Sequence, residues 1–345
     1  MRAAILTRIG APLTIAEVEL PGRLAAGQVL VRVHYSGICG SQIGEIHGVK
    51  GEDRYLPHLL GHEGSGEVVA TGPGVRHVRP GAKVVLHWRK GAGIEADPPA
   101  YRWNGARLNA GWVTTFNEYA IVSENRLTPI PDGTDMKTAA LFGCAVTTGF
   151  GVIEHDAELR IGESVVVFGA GGVGLNIVQA AALRSAWPII AVDRYADRLA
   201  LAARLGATHT IDNSKEDACA AIREIAGAKG VDLFVDNTGQ PAVIEAGYRL
   251  TQPRGRVVLV GVPKQGEEIH IHSLPLHFGK RITGSHGGGA QPELDIPRYM
   301  RLVRARGLRL EELITQVVPL EEINQAITDL QRGAIAGRCL IEMER

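Results

Sequence analysis

Two kinds of hydrophobic patterning divide the chain. Up to about residue 150, short apolar runs such as Val29 to His34, Gly66 to Ala70 and Lys83 to Leu86 are separated by Thr71-Gly72-Pro73-Gly74 and Arg79-Pro80-Gly81. Runs of this length between Gly- and Pro-bearing turns predict an antiparallel, β-rich domain with few helices. From about 160, the runs VVVFG, PIIAVD, VDLFVDNTG and GRVVLVGV alternate with stretches of helical spacing. That alternation predicts βαβ units and a doubly wound parallel sheet over 161 to about 285. Beyond 290 come a helical stretch (Ile296 to Arg306), an apolar run (Val317 to Leu320), a helix near Leu320 to Gly333 and a last strand, Arg338 to Met343. This tail is expected to return to the first domain. The fold class is α/β.

Composition narrows the function. A chain of 345 residues, 45% hydrophobic, is long enough for two ordinary domains with real cores. Lys+Arg and Asp+Glu both number 37, so no one-sign field points to a nucleic-acid or membrane partner. Cys39, Cys144, Cys219 and Cys339 are scattered, which argues against a disulfide scaffold and for a reducing, cytoplasmic setting. The N-terminal MRAAILTRIGAPLTIAEVEL lacks the apolar core of a secretory signal. The longest apolar tract, Val165 to Leu183, is broken by glycines, Asn176 and Gln179, and reads as strand, turn and helix rather than as a membrane span.

That tract carries Gly169-Ala170-Gly171-Gly172-Val173-Gly174. Between a strand and a helix, such glycines permit a tight turn, admit a pyrophosphate close to the backbone and let helix and strand pack. The helix N-terminus then offers free N–H groups to phosphate. The next strand ends at Asp193, whose carboxylate would accept from ribose hydroxyls and repel a 2′-phosphate, favouring NAD over NADP. Arg194 and Arg198, just beyond, are further candidates for the cofactor. A tight turn that binds nothing is the competing reading.

Cys39, His62 and Cys144 supply two thiolates and an imidazole. Three protein donors and an open fourth position make a catalytic zinc site, in which the metal lowers the pKa of an alcohol and eases loss of hydride. Two buried free cysteines and a turn histidine would leave the same residues.

The segments GICGSQ, LLGHEGSGEVV, LFGCAVTTGFG and GAGGVG, in this order, resemble the zinc-dependent medium-chain alcohol dehydrogenases over almost the whole chain. The resemblance implies a GroES-like catalytic domain over 1–150 and 288–345 and an NAD-binding Rossmann domain over 151–287. It implies Cys39, His62 and Cys144 as zinc ligands, a set already established for alcohol dehydrogenase. It implies that Glu63 orients or transiently replaces a ligand and that Ser41 relays the alcohol proton through the cofactor ribose. Thr148 is implied beside the nicotinamide and Arg338 on the pyrophosphate. The segment from Gly284 to Gly289 either offers N–H groups to the cofactor or is a hinge.

Three departures from the family stand out. The stretch from Leu86 to Trp112 has no cysteine, so one catalytic zinc and no structural zinc are expected. Burial of Trp88, Tyr101, Trp103 and Trp112 is expected to take over its folding role. Gln42 stands where the family usually has Asp, and its amide is expected to accept from the ligand imidazole. The relay histidine falls at Gly44, leaving His47 or water to finish the relay.

The same stretch carries Arg89, Lys90, Arg102 and Arg107 against Glu95 and Asp97. A polar or anionic alcohol held by Arg89 or Lys90 is therefore the substrate expectation, beside a solvated loop as the bland one. The sequence thus points to zinc-assisted, reversible hydride transfer between NAD and an alcohol, with an aldehyde or ketone as product. A polyol or sugar dehydrogenase is the nearest alternative, and a non-catalytic, dinucleotide-binding redox sensor the distant one. Self-association as dimer or tetramer is expected through a sheet edge near Arg256 to Val262.

Overall fold

A computed structural model describes residues 1–343. The chain forms two compact units, one from Met1–Thr147 with the residues from Gln291 on, the other from Thr148–Ala290. No single helix among the described residues is long and apolar enough to cross a membrane.

The first unit is built on the ten-residue strand Gln28–Gly37. One edge pairs antiparallel with Glu63–Thr71. The other edge is shared by Tyr119–Ser123 and, at residues 35–37, by the late strand Arg338–Glu342. Its alternating Val29, Val31 and Val33 are buried with Val84, Leu86, Val122 and Ile341. Each such side chain is worth ~1.5–3 kcal/mol on burial, which pins the register, because a one-residue slip would expose all of them.

The cysteine-free stretch folds around a short hairpin, Tyr101–Trp103 against Ala106–Leu108. Asn104 and Gly105 turn it with φ of 51° and 75°, as a two-residue type I′ turn requires. Aromatic burial holds this lobe only in part, through Tyr101 and the half-buried Trp103. Trp112 is 47% exposed, and only Tyr101, with Leu108, is fully buried, against Ala3, Ile5, Val18, Leu59 and Ile121. The rest is a polar clamp. Glu124 is 1% exposed. It accepts from the backbone N–H groups of Arg76 (2.6 Å), His77 (2.8 Å) and Ile94 (2.8 Å). Arg126 donates to the Trp88 carbonyl at 2.7 Å and pairs with Glu95 at 2.8 Å.

The second unit is a six-stranded parallel sheet in the order His209–Asp212, Ile189–Asp193, Val165–Phe168, Val231–Asp236, Thr251–Leu259, Arg281–Gly284. The first strand in sequence sits third, between the second and the fourth, which is the doubly wound order with a switch point beside that strand. Val166, Ile190, Val192, Phe234 and Val257 form its core. Thr251–Leu259 is paired on both sides, so the sheet edge expected near Arg256 to Val262 is an interior strand. The outer strand on that side is Arg281–Gly284.

Candidate active site

Three chain reversals in the first unit bring Cys39, His62 and Cys144 together. Cys39 follows the central strand and caps the helix Gly40–Ile46. His62 precedes the strand Glu63–Thr71 and follows Gly61, whose φ of 93° and close contact with the Phe116 N–H suit only glycine. Cys144 lies between the short turn Leu141–Gly143 and the helix Ala145–Gly151. One ligand atom from each falls within 4.8 Å of the others. The two sulfurs are 4.0 Å apart, close to the ~3.8 Å that Zn–S bonds of ~2.3 Å give on a tetrahedron. His62 Nε2 is buried without a hydrogen-bond partner. Soft donors, the spacing and the orphaned imidazole nitrogen all fit zinc. A hydrogen bond with Cys144, helped by His62 and the positive charge of Arg338, holds the Cys39 thiol well below the usual thiol range despite burial.

Behind the ligands lies Glu63, fully buried. Its carboxylate accepts from the Ala145 N–H at 3.2 Å, one residue past Cys144, and forms an ion pair with Arg338. Gly37 and Gly143 leave room for it, since a Cβ at either would collide with Glu63 or with the Leu86 carbonyl. Arg338 is 4% exposed on the strand beside residue 37. Its guanidinium neutralises Glu63, a partner that the sequence did not point to.

Ser41 is half-buried in the first turn of Gly40–Ile46. His47 caps the other end of that helix, six residues or ~9 Å of rise away. It is exposed against Gln331. Gln42 is also corrected. Its amide oxygen accepts from the Cys39 N–H at 2.9 Å, capping the helix, and is not spent on an imidazole.

Trp88 went unrecognised as a site residue in the sequence. Its ring lies 6.4 Å from that of His62, centroid to centroid, and Arg89 stacks on it at 5.7 Å. The neighbouring strand signal at Lys83 to Leu86 was the available clue, because the next residues must leave the sheet beside the Glu63 strand. The Lys90 ammonium lies 2.6 Å from Glu95.

In the second unit the glycines of the turn divide their work. Gly169 has a φ of 94°. A Cβ on Gly174 would collide with the Gly169 carbonyl, whereas one on Gly171 would meet nothing within 4 Å. The space over Gly171, at the start of the helix Gly172–Leu183 that carries Val173, is a cradle fit for a pyrophosphate. Asp193 closes the turn by accepting from the Ala170 N–H (2.8 Å) and the Tyr195 N–H (3.1 Å). Arg198 lies 3.8 Å from it. Arg194 and Arg198 stand over the Tyr195 ring, at 4.9 and 4.7 Å. Thr148 has a buried hydroxyl without a partner. Gly287–Gly289 is a tight turn pressed on the Thr148–Gly151 backbone, and the Gly288 N–H is donated to Ser285.

A soft-donor metal site on a β-rich unit, with a pyrophosphate cradle on a doubly wound unit, defines a metal-assisted, nicotinamide-linked dehydrogenase. Residues 25–132 match the alcohol dehydrogenase GroES-like domain and residues 172–305 the zinc-binding dehydrogenase domain. The chain is 31% identical over 363 residues to the NDMA-dependent alcohol dehydrogenase of Amycolatopsis methanolica, covering 96% of each. It superposes with a TM-score of 0.90 and 32% identity on the alcohol dehydrogenase zinc-binding domain protein from Burkholderia ambifaria, covering 100% and 99%. With benzyl alcohol dehydrogenase from Acinetobacter calcoaceticus the TM-score is 0.89 at 28% identity, covering 99% of each. The chain belongs to the zinc-dependent medium-chain alcohol dehydrogenase family. It is an enzyme of zinc-dependent, NAD-linked alcohol oxidoreduction, with an alcohol or aldehyde as substrate.

Proposed function

We propose that Cys39, His62 and Cys144 hold one catalytic zinc per chain, with no structural zinc, and that NAD lies along Gly169–Gly174 with its ribose hydroxyls on Asp193. The convergence of the three ligand atoms within 4.8 Å carries this reading. Held there, zinc would supply Lewis acidity and NAD would supply the hydride acceptor. The Ser41 hydroxyl accepts the alcohol proton and passes on its own, needing no shifted pKa because it relays rather than stores. Solvent completes the relay in place of His47. Glu63, tied to Arg338 and the Ala145 N–H, fixes the segments that follow His62 and Cys144, so it positions ligands without becoming one.

The substrate is an alcohol with an anionic group beyond its reacting carbon. Trp88 borders the His62 ring and presents Arg89 to that group, while Lys90 is spent on Glu95. The Trp88 face also favours an aromatic alcohol, and one similar structure is named a benzyl alcohol dehydrogenase. A second copy of the chain pairs along the outer strand Arg281–Gly284, beside exposed Phe278 and Leu274.

Zinc analysis and steady-state kinetics test the reading together. The parent is expected to keep its thiolate zinc through dialysis. Cys39→Ser and Cys144→Ser are expected to lose both zinc and about a thousandfold or more in kcat/KM. A variant that kept both would remove the ligand assignment. Matched neutral and anionic alcohols should show a preference for the anion that Arg89→Ala abolishes.

A further inference from the structure

We propose that Glu45, Asp53 and His58 form a second divalent-cation site, built of harder donors than the thiolate site and independent of it. The three residues come from the end of the helix Gly40–Ile46, the loop after it and the short strand His58–Leu59. One ligand atom from each lies within 4.8 Å of the others. His58 is 7% exposed. Its Nδ1 faces the Leu59 carbonyl at 2.9 Å, so that nitrogen carries a hydrogen. A carbonyl holding the far ring nitrogen is the usual support of a metal-binding imidazole, because it aims the other lone pair at the ion.

In the neutral ring that lone pair, on Nε2, meets Asp53 Oδ2 at 2.7 Å. Two electron pairs at that distance need a positive particle between them, either a proton or a metal. At 2.7 Å the pair as it stands is hydrogen-bonded, and charge favours exchange of that proton for a metal. With Glu45 beside the pair there are two carboxylates, and one proton on the ring leaves a net negative charge among half-buried groups. A divalent cation with the ring neutral balances both. Metal–oxygen and metal–nitrogen bonds of ~2.0–2.2 Å set donors ~3.3–3.5 Å apart, so Asp53 swings outward by some tenths of an ångström on binding. The loop is anchored for this. Asp53 Oδ1 accepts from the Tyr55 N–H at 2.9 Å, and Asn109 Nδ2 donates to the Tyr55 carbonyl at 2.8 Å, tying the loop to the residue that follows the hairpin.

One imidazole and two carboxylates suit first-row divalent ions such as Zn2+ and Mn2+, and, lacking sulfur, they hold them exchangeably. Mn2+ disfavours thiolates, so it reports this site alone. Full-length, zinc-loaded, dialysed protein is titrated with MnCl2 while free Mn2+ is followed by electron paramagnetic resonance. One Mn2+ per chain is expected to bind, to be displaced by Zn2+ and to raise the melting temperature. His58→Gln and Asp53→Asn should weaken binding by about tenfold or more, and Cys39→Ser should leave it unchanged. Glu45→Gln, on the helix, gives the same reading if His58→Gln fails to fold. The proposal is overturned if the parent takes up no Mn2+, or if these variants bind it as the parent does. In that case the cluster is an ion pair.

Discussion

The Glu63 carboxylate and the Arg338 guanidinium neutralise each other inside the first unit, with side chains 0% and 4% exposed. The pair joins the residue after His62 to the strand that returns from the far end of the chain. Removing one partner of a buried pair leaves the other charged and unpaired, a loss of ~3–5 kcal/mol. Arg338→Leu is therefore expected to lower the urea midpoint steeply and weaken zinc retention, while NAD affinity, measured by titration calorimetry, changes less than about twofold. A large loss of NAD affinity at unchanged stability would return Arg338 to the pyrophosphate.

His87 gives a pH dependence of known sign. Burial pushes it down from 6.5 to about 4, and its ring is held between the Arg89 carbonyl at 2.8 Å and Thr128 Oγ1 at 2.9 Å. Between pH 6.5 and 4 the unfolded chain therefore binds a proton that the folded chain refuses. Stability falls as pH falls through that window, by about 3 kcal/mol in total, and levels off below it. Folding free energies at pH 7 and pH 4.5 should differ less in His87→Gln than in the parent by most of that amount. Equal differences in the two proteins would show that His87 titrates normally.

How much of this was legible in the sequence depended on whether local pattern or long-range packing decides. The alternating βαβ runs and the Gly169–Gly174 turn are local, and the sheet order and cradle follow from them. Cys39, His62 and Cys144 were recognisable by motif, although their convergence depends on three separate reversals. The pairing of Arg338 with Glu63 was not legible, because it is set by strand pairing across some 275 residues, which no local pattern encodes. His47 is near Ser41 in sequence, yet helix rise separates the two. The aromatic account of the cysteine-free lobe holds for Tyr101 but not for Trp112, for a related reason. Residue type suggested burial, but Trp112 stacks on Arg126 at the surface, and a carboxylate thirty residues on holds the lobe.

That carboxylate, Glu124, accepts three backbone N–H groups, and these hold it below the usual carboxylate range against the cost of its burial. The unfolded chain therefore takes up the proton first as pH falls. The clamp's contribution is complete above the ordinary carboxylate pKa and is lost as pH drops through the lowered one. Glu124→Gln replaces one acceptor oxygen with a donor, so at least one of the three amides loses its partner, at ~1–3 kcal/mol. Hydrogen exchange at Ile94 should accelerate, and residues 88–97 should become sensitive to protease, while the strand Val165–Phe168 exchanges as before. Unchanged protection at Ile94 would show that other contacts hold the lobe.

Gly171 and Gly174, three residues apart in one turn, are expected to fail in opposite ways. A Cβ on Gly174 runs into the Gly169 carbonyl, and backbone on both sides leaves no way to yield. Gly174→Ala therefore forces helix and strand apart, at ~1–3 kcal/mol for overpacking, and lowers the melting temperature of the protein without any cofactor present. A Cβ on Gly171 meets nothing of the protein within 4 Å. Gly171→Ala should melt with the parent yet bind NAD about tenfold or more weakly, because the methyl takes the space through which a pyrophosphate reaches the helix N–H groups. Calorimetry and thermal melts on the two variants separate the roles. If Gly171→Ala bound NAD as the parent does, the cofactor would have to pass elsewhere than over this turn.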